Sequence, residues 1–474
     1  MKIISNWLIL FFLILSFQKL TAQSIIDTTG QPLTLQQCID YALRFQPGVR
    51  QAAIDEQINE RDIKIGLSAW LPQVASAASY NRYFQRTATL SSGSGSTTTG
   101  STTASGTGSG TTTGGTNSTT TGASSQQSVI AAARNVSTLG LQANQVIFNN
   151  DVILASKASK YSRAYYKEGS ELARINVVSE VSKAFFDVLL SQKQFDILNE
   201  DIKRLQRSLK DAYVRYQAGI VDKTDYKQAT IALNNSLASR KQSQEAVKSK
   251  TAYLKQVMGF TPQRYISLQY DSTRLISELA IDTNQTLDIT RRIEFRQLAT
   301  QKNLDYLNVD YYKYGFLPSL SAFASYNLLY FNDSFNQLYR DAYPTSLAGL
   351  SINIPIFQGT RRLQNLSKAR LRVDRADLDI LNTRNVISTE YSQALASYKS
   401  NYTNWVLLSQ NVDLAKDVYN VVSLQYREGI KTYTDVLVAQ ADLRTAELNY
   451  YNALFMLLSS KIDLQKALGL ITAR

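Results

Sequence analysis

Two kinds of hydrophobic spacing alternate along this chain. Over residues 361–428 the apolar positions recur at helical, coiled-coil intervals: Leu407, Leu414 and Val421 fall seven apart, with Val418 filling a four-residue step. Neither glycine nor proline interrupts that stretch. At ~1.5 Å per residue a single helix of this length would reach about 100 Å. The matching stretch, 151–218, contains one glycine, Gly169, which marks a bend or simply a weak spot. Each long segment runs into a glycine, Gly219 or Gly429, suited to the left-handed turn that closes a helix. Helix-forming sequence then resumes, from about 224 to 258 and from about 434 to 468. Shorter helices are expected at roughly 48–70 and 290–314, which makes two long and four short helices.

The second spacing has period two. Leu320, Ala322, Ala324, Tyr326, Leu328 and Tyr330 alternate with Ser319, Ser321, Ser325 and Asn327, although Phe323 breaks the polar row. Leu350, Ile352, Ile354 and Ile356 alternate with Ser351 and Asn353. Earlier in the chain Val74, Ala78, Tyr80 and Phe84 share one face, and Leu139, Leu141, Ala143 and Ile147 share another. One apolar face with aromatics towards the ends is what a lipid-facing barrel strand needs. Four strands cannot close a barrel, and open edges are not tolerated in lipid, so several chains would have to pool their strands. The competing reading is a pair of hairpins capping a water-soluble helical bundle.

The two spacings occur twice, in the same order. Leu71-Pro72 returns as Leu317-Pro318, and the run beginning Gly140-Leu141 returns as the run beginning Gly349-Leu350. Tyr216-Gln217-Ala218-Gly219-Ile220, with Asp225 beyond it, returns as Tyr426-Arg427-Glu428-Gly429-Ile430, with Asp435 beyond it. Met258-Gly259-Phe260 corresponds to Leu468-Gly469-Leu470. Each half is therefore expected to fold as the same unit. Only the Leu-Pro pair is spaced more widely. The surplus lies in residues 91–125, nearly all Ser, Thr and Gly, which cannot bury enough apolar surface to order themselves. Such a tract between two strands belongs on an exposed rim.

Composition narrows the function. Met1-Lys2, the apolar run Trp7–Phe17 and Leu20-Thr21-Ala22 read as a secretory signal peptide over 1–22. No later segment is long and apolar enough for a transmembrane helix. Cys38 is alone, so no internal disulfide is possible. The net charge of +13 is scattered rather than clustered with aromatics, which argues against nucleic acid. The chain has no histidine and no nucleophile motif, so neither an enzyme nor a cofactor or metal centre is expected.

The signal peptide, the duplicated strand pair and long hairpin, the Leu-Pro strand starts, the Tyr-x-x-Gly-x-x-x-x-x-Asp turns and the Leu-Gly ends together resemble the TolC family of outer-membrane efflux channels. The resemblance covers nearly all of the chain after residue 22. It implies a mainly α fold with a small β component, organised as a tandem structural repeat. In a homotrimer the chains would form a TolC-like α-helical barrel continued by a 12-stranded transmembrane β-barrel, four strands per chain. The first repeat would span 23–261, with strands at about 72–86 and 136–148, an extracellular loop at about 87–130 and a helical hairpin at about 150–258. An equatorial connector would occupy 262–289. The second repeat would fill 290–474, with strands at about 318–331 and 346–357 and a hairpin at about 361–468.

The function implied is the outer-membrane channel of a tripartite efflux or type I secretion system. It would export small molecules or proteins passively from the periplasm of a Gram-negative bacterium. Its partners would be outer-membrane lipid, a periplasmic adaptor and an inner-membrane pump of RND or ABC type. A surface-exposed adhesive stalk with no pore is the alternative. By resemblance the hairpin turns at Gly219 and Gly429 close the periplasmic entrance, through Thr224 and Asp225 in the first and Tyr426, Lys431 and Asp435 in the second. The family's arginine is a lysine at Lys431, which keeps the charge and gives up the planar fork. The plainer reading makes Thr224 and Thr434 helix caps and leaves the aspartates to favour positive helix N-termini.

Overall fold

The computed structural model describes residues 32–84, 133–269 and 285–471. The expected signal peptide and the Ser/Thr/Gly tract lie outside these residues. Seven α-helices and four strands follow one another: α1 Leu35–Phe45, α2 Pro47–Ser68, β1 Gln73–Arg82, β2 Asn135–Phe148, α3 Asn150–Gln217, α4 Lys223–Met258, α5 Ile293–Lys313, β3 Ser319–Asn332, β4 Tyr343–Asn353, α6 Arg361–Arg427 and α7 Tyr433–Ala467. The fold is mainly helical with a small strand component.

The long helices α3 and α6 run 68 and 67 residues without a break, and Gly169 does not interrupt the first. The four helix-end glycines that the duplication pairs close their helices by the same device. Gly219, Gly259, Gly429 and Gly469 take φ of 69–79°. The amide of each reaches the carbonyl three residues back, and the next amide reaches the carbonyl five back, for example Gly219 to Tyr216 at 2.9 Å and Ile220 to Arg215 at 3.0 Å. This pair of bonds satisfies carbonyls that the helix end leaves open.

The chain divides into two compact units, and each draws on both repeats. Among the described residues, one comprises 32–54, 168–269, 285–296 and 381–471. Its core joins α1, α3, α4, α6 and α7 around Phe185, Leu254, Met258, Leu457 and Leu464. The apolar spacing predicts no helix at 35–45, where α1 lies. Thr34 and Gln37 form a reciprocal capping box there, and Cys38 and Ala42 point into the core. Beyond α4, Leu33 pairs with Leu268 in a short parallel bridge, so the start of the described chain and part of the connector touch. A second, smaller cluster joins Ala212, Ala229, Tyr426, Tyr433 and Val436.

The other unit comprises, among the described residues, 55–84, 133–167 and 297–380. It holds an antiparallel sheet in the order β1-β2-β3-β4. The register places Ala78 opposite Leu139, Leu139 opposite Leu328, and Leu328 opposite Pro344. The apolar rows of all four strands therefore fall on one face, with a bulge between Val146 and Phe148 displacing Ile147. Beside the sheet, Arg163 pairs with Glu60 at 2.7 Å, joining α3 to α2, and Lys302 pairs with Asp377, joining α5 to α6. The last strand ends at Asn353, short of the expected 357, because Pro355 has no N–H to give a ladder. The first stops at Arg82, leaving Phe84 beyond it.

Candidate functional site

The two hairpin turns are built alike but capped differently. After Gly219 the chain enters α4 through Asp222, which has the extended backbone of an N-cap but makes no side-chain cap bond. After Gly429 it enters α7 through Thr432, whose hydroxyl accepts from the Asp435 amide at 3.3 Å, while Asp435 accepts from the Thr432 amide at 2.9 Å and hydroxyl at 2.8 Å. The caps are thus Asp222 and Thr432. Thr224 and Thr434 are not caps, because each helix begins earlier than its apolar spacing indicates and both threonines lie in the first turn. The pattern Thr432-x-x-Asp435 was the available signal.

These bonds decide the state of Asp435. The Thr432 amide, then its hydroxyl, hold the carboxyl below the ordinary aspartate range, with a further push from Lys431. A depressed value means that the capping contribution is complete above the unfolded aspartate range and is lost as pH falls through the folded value. Thr432→Ala is expected to cost about 1 kcal/mol of local stability. Faster amide hydrogen exchange confined to the first turn of α7 would register it.

The remaining expected site residues are brought together only in part. Tyr426 is buried beside Tyr433, ring centroids 5.7 Å apart, with the Arg215 guanidinium 4.8 Å over its face. The Arg215 fork also reaches the Arg427 carbonyl at 3.4 Å, joining the two turns. Sequence reasoning missed Arg215. The Tyr426 phenol has no hydrogen-bond partner among the described residues. Burial raises it, Arg215 opposes, and Asp225 and Asp211 add to the rise. Asp225 is itself raised, by burial and then by Asp222. Tyr426 and Asp225 therefore sit within electrostatic reach without bonding. Lys431 forms no ion pair with the described residues, and Thr224 bonds to neither Tyr426 nor Lys431.

Further along the hairpins lies a polar knot that sequence spacing did not reveal. Asp201 of α3, 1 % exposed, accepts from Ser236 of α4 at 2.8 Å, Gln440 of α7 at 2.9 Å and Arg444 of α7 at 3.3 Å. Arg204 approaches Glu447 at 3.6 Å, and burial raises that glutamate while Arg204 opposes. No cluster of metal-ligating side chains occurs among the described residues.

Residues 38–260 and 290–470 each match the sequence profile described as Outer membrane efflux protein. The chain belongs to that family. The two matched spans are tandem copies of one profile, and membership makes this an outer-membrane protein of a transport family, not an enzyme family. Among curated relatives, Outer membrane protein TolC of Vibrio cholerae is 22 % identical over 306 residues, covering 62 % of this chain and 68 % of that protein. Outer membrane efflux protein BepC of Brucella suis is 23 % identical over 347 residues, covering 72 % and 74 %. The fold matches the Campylobacter jejuni CmeC outer membrane channel with a TM-score of 0.70 at 19 % identity, over 92 % of this chain and 85 % of that one. It matches VceC of Vibrio cholerae with a TM-score of 0.67 at 17 % identity, over 92 % and 96 %. The efflux family's tandem, TolC-like fold is the one described above.

Proposed function

We propose that three copies of this chain form a passive export duct through the outer membrane of a Gram-negative bacterium. The observation that carries this is the sheet. Its apolar face bears Val74, Leu141, Tyr326 and Leu350, all exposed. The outer edges of β1 and β4 have no partner strand among the described residues. In hydrocarbon each unpaired backbone group costs several kcal/mol, so open edges are excluded and sister strands must complete the wall. Twelve pooled strands make a barrel wide enough to conduct. The helices bear a matching need for neighbours, since Leu407, Leu414, Val418 and Val421 of α6 are each more than half exposed. Small molecules or proteins would pass through, driven by an inner-membrane pump of RND or ABC type docked through a periplasmic adaptor. Cross-linking in detergent should count three subunits, and planar bilayers should record discrete current steps. A monomer that stays in water without detergent and carries no current would overturn the proposal.

The hairpin turns are the proposed entrance. Among the described residues the Tyr426 phenol has no hydrogen-bond partner and the Lys431 side chain no ion pair, which suits a tether to Thr224 and Asp225 of a neighbouring copy. The Tyr426→Phe, Lys431→Ser double variant is expected to conduct more readily than the natural chain. Equal conductance would dismiss the tether.

A further inference from the structure

The duplicated glycines inside the strands have a use that the duplication alone does not explain. Gly140 of β2 and Gly349 of β4 both lie on the polar face of the sheet, and each stands directly opposite a residue of the central strand β3, Asn327 and Phe323 respectively. A methyl group added at Gly349 would come 2.9 Å from the tip of the Phe323 ring and 3.2 Å from its edge. One added at Gly140 would collide with the Asn327 carboxamide oxygen. Neither glycine has a positive φ, so backbone conformation does not demand it. The space does. A strand glycine commonly marks such a close approach, and an aromatic ring lying across it recovers packing that the missing side chain forfeits.

The two side chains lean in opposite directions, Asn327 towards β2 and Phe323 towards β4. Between residues 319 and 327 the polar face of β3 carries Ser319, Ser321, Ser325 and Asn327 beside that one ring. The anomaly in the alternating pattern thus has a specific accommodation. We infer that Gly140 and Gly349 are seats that lay Asn327 and Phe323 flat against the inner wall of the duct and keep its bore open. Three seated rings in a trimer give the polar wall a shallow apolar step that passing cargo meets. This rests on the duct reading, which makes the polar face the inner one. A pore's conductance follows the side chains that line it and the radius they leave.

Single-channel recording tests the seats. Gly349→Ala is expected to lower the unit conductance by lifting the ring into the bore, and Gly349→Ala with Phe323→Ala to restore it. Gly140→Ala and its double with Asn327→Ala should behave likewise. Phe323→Ala alone should change conductance little, because the ring already lies aside. Cysteine substitution fixes the face. Cys38 is fully buried and its thiol is pushed up to about 12 by desolvation, so it will not answer thiol reagents. A charged reagent should reduce the current of Ser325→Cys and spare that of Tyr326→Cys. Unchanged conductance in Gly349→Ala, a large rise in Phe323→Ala, or block at 326 in place of 325 would each overturn the inference while the natural channel still conducts. A silent natural chain would instead remove the duct, and the seats with it.

Discussion

Removing the carboxylate of Asp201 is expected to destabilise the hairpin pair by about 3 kcal/mol, the lower end of the range for breaking a buried charge pair. Three groups from two other helices converge on this side chain, through Ser236, Gln440 and Arg444. Asp201→Leu removes the carboxylate from all three donors, leaving Gln440, itself buried, only the Asp201 main-chain carbonyl at 3.3 Å and Arg444 only Ser236 at 3.0 Å. The full cost of an isolated buried charge does not apply, because the Arg444 side chain is 31 % exposed and water can reach it. Asp201→Asn keeps one acceptor oxygen and should lose roughly half as much, since bonds to a neutral acceptor are weaker. Pairing Asp201→Leu with Arg444→Met should recover most of the loss, because apolar replacement of a whole buried pair is often neutral. Thermal unfolding of the detergent-solubilised protein followed by circular dichroism reads all three. If Asp201→Leu melts with the natural chain, the knot contributes nothing to stability.

The second large effect is expected at Gly259. Its φ of 69° costs any side chain about 1–2 kcal/mol. A methyl there would also stand 2.8 Å from Gln46 Cα and 2.9 Å from the Phe45 carbonyl oxygen, both backbone atoms that cannot swing away. Overpacking of this kind adds about 1–3 kcal/mol. Gly469 has the same φ but looser surroundings, its nearest neighbour being the Arg291 carbonyl at 3.3 Å, and Gly219 has open space around it. Alanine substitutions should therefore rank Gly259 worst, Gly469 next and Gly219 mildest. The midpoints of the three variants check the order, and a Gly219→Ala chain melting below Gly259→Ala would contradict it. At Gly259 and Gly469 the end of a repeat closes against residues ahead of that repeat's own short helix, at Gln46 and at Arg291. Arg292 strengthens the second closure by donating to the Ala467 carbonyl at 3.2 Å.

Much of this was legible because it depends on backbone chemistry that only certain residues permit. The ends of the two long helices could be placed from Gly219 and Gly429, since the closing turn requires φ above zero. Proline located the strand starts and also cut β4 short, a limit that the apolar alternation through Ile354 and Ile356 concealed. Helix starts were less legible. Apolar spacing begins only where a helix meets its neighbours, so it ran past the true caps at Asp222 and Thr432. The short helix α1 went unread for a related reason: with only 11 residues its periodicity is brief, and the Thr34–Gln37 box was its clearest sign. Asp201, Arg215 and Arg444 follow no local pattern at all. Their meaning comes from being set against partners on helices far apart in sequence, Asp201 and Gln440 being 239 positions apart.

The order of strands in the sheet has a consequence for how such an assembly is made. The two halves of the chain meet at the β2–β3 ladder, which joins the last strand of one repeat to the first strand of the next. In the ring proposed above, the contact between one molecule's β4 and the following molecule's β1 would join the same two kinds of strand. Half the seams of that ring would thus be tied covalently within a polypeptide, where they form at a rate independent of concentration. Only the remaining half must await encounters between separate molecules. Carrying both repeats on one chain halves the number of seams that must form between separate molecules, and it lets the two sorts of seam drift apart in sequence.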